Sequence, residues 1–303
     1  MHRIDALQIF VRVAEMGSFT KAATLLGLPK ATASVAVRQL EAEVGVRLLH
    51  RTTRSVQLTT DGQAFYERGT ALLAEVDDLH GLFRHDGAAL HGRLRVDMPT
   101  GTANNIVIPA LPAFLAAHPG LELQLGSTDR RVDMVQEGFD CVLRIGTLAD
   151  SSLVAHPLGA MPQHNYASPD YLRRHGTPLG LDDLAGGTHR MVHYVPALGT
   201  RPLGWEYTED DGRAATLAMP GALQVTNVQA YEAACVAGLG LIQAPRAGMQ
   251  KHIAAGQLVE VLPGLRAPPM PVALVVAHRR GLSRRVRVFM AWMREVLAPW
   301  MQE

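Results

Sequence analysis

Two glycines ten positions apart, Gly17 and Gly27, cut the first 45 residues into three short helical patterns. From Asp5, the residues Leu7, Phe10, Val11 and Ala14 recur at helical spacing. Gly17 stops that pattern, and Ser18 is placed to N-cap the next one. The second helix is expected over about 20–26. There Ala22, Ala23, Leu25 and Leu26 form an apolar side whose small residues let another helix approach closely. Gly27-Leu28-Pro29 closes one helix and opens another in a tight turn. The third helix is expected over 30–44, with Ala33, Val37, Leu40 and Val44 inward and Lys30, Thr32, Ser34 and Arg38 outward. Residues 47–59 then alternate around a basic middle, which suits a short hairpin carrying Arg51 and Arg54.

Charge sharpens this reading. Residues 1–60 hold eight basic and four acidic side chains, net +4, whereas 61–91 hold two and six, net −4. The chain as a whole is +1, so the basic head sits on a nearly neutral body. A basic three-helix head with a hairpin wing suits a polyanion. Short polar side chains and a lysine at a helix N-terminus can reach base edges in a major groove, and a basic wing can meet phosphates. A three-helix protein-interaction module is the other class with this layout.

The motifs GSFTKAA, LEAEVGVRLLHRTTR and LTTDG occur in that order in the first 62 residues. The stretch resembles the N-terminal domain of LysR-type transcriptional regulators. The resemblance implies a winged helix-turn-helix over 1–60 that binds double-stranded DNA. The contact set it implies is Ser18, Thr20, Pro29, Lys30, Thr32, Ser34, Arg38, Arg51 and Arg54, with Lys30, Thr32 and Ser34 at bases and Arg51 and Arg54 at phosphates. One departure stands out. The family commonly carries arginine or lysine after the recognition-helix serine, and Val35 follows Ser34 here, which implies a shifted operator preference.

No proline interrupts 60–88, so a long helix is expected to leave the head. Phe65, Leu72 and Leu79 repeat every seven residues, with Val76 and Phe83 beside them. One narrow apolar seam on an acidic helix suits pairing with another helix. About 28 residues at ~1.5 Å each give a rod of ~40 Å. The resemblance makes 61–91 a linker helix through which two subunits dimerise, placing two heads on a palindromic site. Packing against its own domain is the alternative.

Residues 92–303 alternate strand and helix patterns. Strands are expected over 94–98, 121–126 and 141–145, with helices over 104–118 and 131–137 between them; that order suggests a parallel sheet. A second set follows. It comprises a strand at 165–167, a helix at 169–175, strands at 190–194 and 222–226, a helix at 227–237 and a strand at 239–243. A strand over 271–278 and an amphipathic helix over 283–299 complete the chain, and 196–221 is expected as a loop and hairpin. The chain thus builds a first lobe over 92–162 and 268–303 and a second over 163–267. In such sheets ligands sit at strand ends near helix N-termini. The candidate effector residues are Thr100, Gly101, Thr102, Thr128, Arg144, Gly146, Thr147, His193, Thr226, Asn227 and Pro245, a set suited to a small polar or anionic molecule.

The segments LPAFLAAHPGLELQL, DRRVDMVQEGFDCVLRIG, DSSLVAHPLG, YASPDYL and ACVAGLGLIQAP resemble the effector domain of the same family. The implied fold is a two-lobed α/β domain like type 2 periplasmic binding proteins. The implied assembly is a homodimer, with lobe contacts that join two dimers into a homotetramer. Contact with RNA polymerase is a further expectation for a regulator of this class.

Other chemistry is thin. The most apolar stretch, 271–277, is far short of the ~20 residues that span a membrane. Asp5 and Gln8 stand where an apolar leader would run. Cys141 and Cys235 are the only cysteines and sit in apolar surroundings, as structural thiols do. His189 and His193 are four apart in a strand pattern, where that spacing is no chelating turn; His80, His85 and His91 lack acids at ligand spacing. No metal or cofactor is expected, nor is an enzyme, since no nucleophile–base or carboxylate pair falls in the cleft loops. The expected compartment is the bacterial cytoplasm, at the nucleoid. The alternatives are a metabolite-binding protein with a vestigial DNA head, and an enzyme on the same scaffold.

Overall fold

The computed structural model describes residues 3–51, 56–82, 90–130, 132–146, 153–209, 211–277 and 282–301. Helices α1 (Arg3–Met16), α2 (Phe19–Leu26) and α3 (Lys30–Val44) form the head. Phe10, Val13, Ala22, Ala33, Ala36 and Val37 are all fully buried between them. Four alanines, Ala22, Ala23, Ala33 and Ala36, supply the close helix approach expected of small residues. Gly27 closes α2 at φ +67° and returns its N–H to Ala23 and Thr24; Gly45 closes α3 at φ +75°. Beyond it, β1 (Leu49–Arg51) and β2 (Val56–Leu58) pair antiparallel as the wing. The wing is stapled to the head. Glu41 Oε1 accepts from the N–H groups of Leu48 and Leu49 at 3.0 and 3.1 Å, and Thr59 Oγ1 donates to Arg47 O at 2.7 Å.

Helix α4 (Thr60–Leu82) leaves the head as expected, yet its first turns belong to the head's core. Phe65 meets Phe10 edge to face with ring centres 5.4 Å apart, and Leu73 packs into the same cluster. A Cβ at Gly69 would come within 2.7 Å of Leu7, so the two helices touch closely there. Phe65 of the expected dimer seam thus has a partner within the chain, Phe10 of α1, and is left half-buried by it. Leu72 is 49% exposed and Val76 is half-buried. Phe83 and the side chain of Leu79 lie outside the described residues.

The body begins with β3 (His91–Met98), followed by one continuous helical run. That run comprises α5 (Thr100–Thr102), a π turn (Ala103–Val107) and α6 (Ile108–Ala117). Then come β4 (Gly120–Ser127), α7 (Met134–Glu137), β5 (Cys141–Ile145) and β6 (Val154–Met161). With β14 (Met270–Val276) they make a five-stranded sheet in the order β4-β3-β5-β14-β6. The sheet is mixed, which corrects the all-parallel expectation. β3 runs parallel to β4 and β5, but β14 runs antiparallel to both β5 and β6. The cause is connectivity: β14 is the strand by which the chain returns after building the second lobe. Helix α12 (Arg284–Leu297) closes this core with Val286, Phe289, Met293 and Leu297.

The second lobe starts at β7 (Gln163–Ala167), one residue after β6 ends. β7 is the middle of a three-stranded antiparallel sheet between β12 (Ile242–Pro245) and β13 (Val259–Glu260). Around it lie α8 (Pro169–His175), α9 (Leu181–Ala185), α10 (Val228–Val236) and α11 (Arg246–Ala254). β8 (His193–Tyr194) and β11 (Gln224–Val225) form a short parallel pair. The 196–221 segment contains a hairpin, β9 (Trp205–Thr208) with β10 (Ala214–Leu217), which buries Trp205 completely. Gln163 Nε2 donates to Pro268 O at 2.9 Å, tying the outgoing connection between lobes to the returning one. Among the described residues, no helix is long and apolar enough to cross a membrane.

Candidate nucleic-acid interface and inter-lobe cleft

Helix α3 packs Ala33, Ala36, Val37 and Leu40 into the head and turns its other side outward. Lys30 and Arg38 are exposed; Thr32 and Ser34 are half-buried at the edges of that face. Ala31, Val35 and Gln39 are exposed beside them. Pro29 occupies the N-cap position and gives no side-chain cap, so the first N–H groups of α3 are not taken by a capping side chain. Ser18 caps α2 by accepting from Lys21 N, while Thr20 is exposed at its first turn. Arg38 Nε donates to Ser34 O at 3.3 Å, which lays the guanidinium along the helix surface. Arg51 pairs with Val56 through the wing backbone; its side chain, and Arg54, lie outside the described residues.

The candidate effector residues divide between strand ends and helix starts. Thr100 and Gly101 open α5, and Gly101 lies against the Val228 side chain, so the first lobe touches α10 there. Thr102 is buried in the helix. Asn227 caps α10, its Oδ1 accepting from Ala230 N at 2.8 Å, with half-buried Thr226 before it. Pro245 stands at the N-cap of α11. Gly146 takes the positive φ of +94° that ends β5, and Thr147 lies outside the described residues.

Two carboxylates organise these ends, and neither was singled out from sequence. Asp97, at the end of β3, is fully buried. Arg144 Nη1 approaches it at 3.7 Å, and Thr128 Oγ1 lies 3.4 Å from Oδ1. Burial nevertheless dominates, pushing the Asp97 carboxyl up to about 6 against the pull of Arg144 and Thr128. Arg144 also donates to Val132 O at 3.1 Å. Thr128 and Arg144 thus serve a buried acid of their own lobe. The second carboxylate, Asp129, accepts from Thr100 N at 2.9 Å and from Val228 N at 2.7 Å. Its charge, after burial, raises the hydroxyl of the neighbouring Tyr194 to about 12.

His193 fits the ligand role poorly. It is 7% exposed, its ring fills the space where a Cβ at Gly221 would stand, and burial lowers its pKa. His189 is likewise buried and lies 3.3 Å from the Tyr171 hydroxyl. Both cysteines are buried, and desolvation pushes each thiol up to about 12. Cys235 Sγ lies 3.6 Å from Tyr166 O. Among the described residues no cluster of three or more His, Cys, Asp or Glu could hold a metal ion.

Known proteins share this arrangement. Residues 4–63 match the family model described as a bacterial regulatory helix-turn-helix protein of the lysR family, and 87–298 match the LysR substrate binding domain. An HTH-type transcriptional regulator of Escherichia coli, YhjC, is 44% identical over 99% of this chain and 100% of its own length. An HTH-type transcriptional repressor of Pseudomonas aeruginosa is 37% identical over 98% of this chain and 93% of its own. The solved structure of CrgA, a LysR-type regulator from Neisseria meningitidis, is 27% identical with a TM-score of 0.59, covering 96% of this chain and 97% of that one. These relatives are transcriptional regulators and not enzymes. With an N-terminal helix-turn-helix domain and a C-terminal effector-binding domain spanning nearly its whole length, this chain belongs to the LysR family of transcriptional regulators.

Proposed function

We propose that the protein binds an interrupted palindromic DNA operator as a dimer or tetramer and answers to a small polar or anionic metabolite held between its lobes. The domains are a DNA-binding head over 1–60, a dimerising linker helix over 61–91 and an effector domain over 92–303. The observation that carries this is the outward face of α3. Exposed Lys30 and Arg38 flank Thr32 and Ser34 on a helix whose first turn has no side-chain cap. Such a helix can enter the major groove N-terminus first, with the wing residues Arg51 and Arg54 on phosphates. Two heads held by paired linkers would meet successive major grooves, which calls for a two-fold site. From an operator beside a promoter such a complex, in the cytoplasm, would meet RNA polymerase.

The test is selection of random and genomic DNA fragments by the full-length protein at near-physiological salt. Recovery of one interrupted palindrome supports the operator. Recovery of only salt-sensitive, sequence-blind binding overturns it in favour of a metabolite-binding protein with a vestigial head.

A further inference from the structure

Where the two lobes meet, two helix starts are held by this chain's own acid. Thr100 is the first residue of the helical run in the first lobe, and Val228 is the first residue of α10 in the second. Pro99 offers no side-chain cap to the first, and the cap from Asn227 reaches Ala230 and leaves the Val228 N–H over. Asp129 takes both leftover groups, Oδ1 on Thr100 and Oδ2 on Val228. One carboxylate thus caps two helices that belong to different lobes. Its contribution is electrostatic as well as geometric, because both helix dipoles present their positive ends to it.

Resting on the effector-binding reading above, we infer that Asp129 is the specificity-determining residue of the cleft. It is a tethered carboxylate that clasps the two lobes where an anionic effector would be seated, so that a free carboxylate enters only by displacing it. A carboxylate held on the chain beside both partners competes at an effective concentration far above that of a free metabolite. Free carboxylates below that level are therefore excluded unless further contacts, beyond the shared carboxylate, favour them. Tyr194, on the second lobe, feels the charge of Asp129 and is 41% exposed, which leaves one phenol hydroxyl available for such contacts.

The test is chemical rescue in the full-length protein, with acetate as the probe. Asp129→Gly deletes the methylene carboxylate that acetate replaces. The thermal midpoint of Asp129→Gly is expected to fall below wild type and to rise saturably with sodium acetate, and not with acetamide or sodium chloride. Wild type, whose own carboxylate fills the place, is expected to show no saturable shift over the same acetate range. Asp129→Asn fills the space but puts an amide N–H₂ towards one of the two N–H groups, so it should be destabilised and not rescued. Equal acetate shifts in all three proteins, or none in Asp129→Gly, would overturn the clasp. If Asp129→Gly does not fold, Asp129→Ala with formate gives the same discrimination. Operator selection by wild type is read separately, so failure of the clasp and failure of the regulator reading are distinguishable.

Discussion

Arg144 Nη1 faces Asp97 Oδ2 at 3.7 Å beneath the strand ends of the first lobe, with the carboxylate wholly out of solvent. The arginine offsets part of the cost of burying that charge, but not all of it, and the carboxyl stands at about 6. A carboxyl whose folded pKa lies above its unfolded value binds more protons folded than unfolded, so stability declines as pH rises between roughly 4 and 6. The ionised form then costs about 3 kcal/mol above that window. Asp97→Asn cannot titrate. The difference in unfolding free energy between variant and wild type should climb in the variant's favour by about that amount from pH 4 to pH 7, read by urea denaturation. A difference that stays flat across that range contradicts the assignment.

Val35 is 41% exposed in the middle of the outward face of α3. If that face meets DNA, Val35→Arg adds a cation at the interface. Binding to nonspecific DNA should tighten, and the salt dependence should steepen by about one counterion per head, since each phosphate neutralised contributes ~0.9 to the slope. Fluorescence anisotropy across a salt series measures this; an unchanged slope would place the face away from the duplex.

Gly62 sits where α4 passes under the wing, and a Cβ there would come 2.0 Å from Leu48 O. Backbone cannot retreat as a flexible side chain can. Gly62→Ala should destabilise the head by about 1–3 kcal/mol or more. Its effect should appear as a lower unfolding midpoint for the head and as weakened operator binding at elevated temperature.

Phe65 and Leu72 share a heptad seam in the sequence but not a role. Phe65→Ala should cost about 1–3 kcal/mol of head stability, because its half-buried ring packs on Phe10. Leu72→Asp should leave head stability within about 0.5 kcal/mol and instead drive the assembly toward monomer, because half of Leu72 is open to a partner. Sedimentation at micromolar concentration separates the two. A Leu72→Asp protein that stays fully dimeric would move the dimer contact elsewhere.

Local chemistry made much of the fold legible. The bounds of α3, of β5 and of α8 follow from Pro29 and Gly45, from an apolar run and from a Ser-Pro start. β6 was hidden by Pro157 and Gly159, which argue against a strand until it is seen as the sheet's edge, where proline costs no ladder bond. The helix expected over 104–118 begins four residues earlier, at Thr100, because Pro99, Gly101 and the π turn that follows blur the periodicity of its first turns. Thr100, Asn227 and Arg144 were found because strand ends and helix starts are local signals. Asp129 was not, because its two partners lie 29 and 99 residues away and no periodicity connects them.

The outgoing and returning connections between the lobes lie side by side, pinned where Gln163 holds the carbonyl of Pro268. A body joined by two adjacent cords resists sliding and twisting more than folding about the line through them, and the bond from Val228 to Asp129 is a tie that opposes that folding. Whatever fills or empties the space facing that line changes one angle, and an angle is magnified with distance from its axis. Anything carried far from the pinned pair, on this chain or on a neighbour packed against it, therefore travels furthest for the smallest rearrangement at the centre.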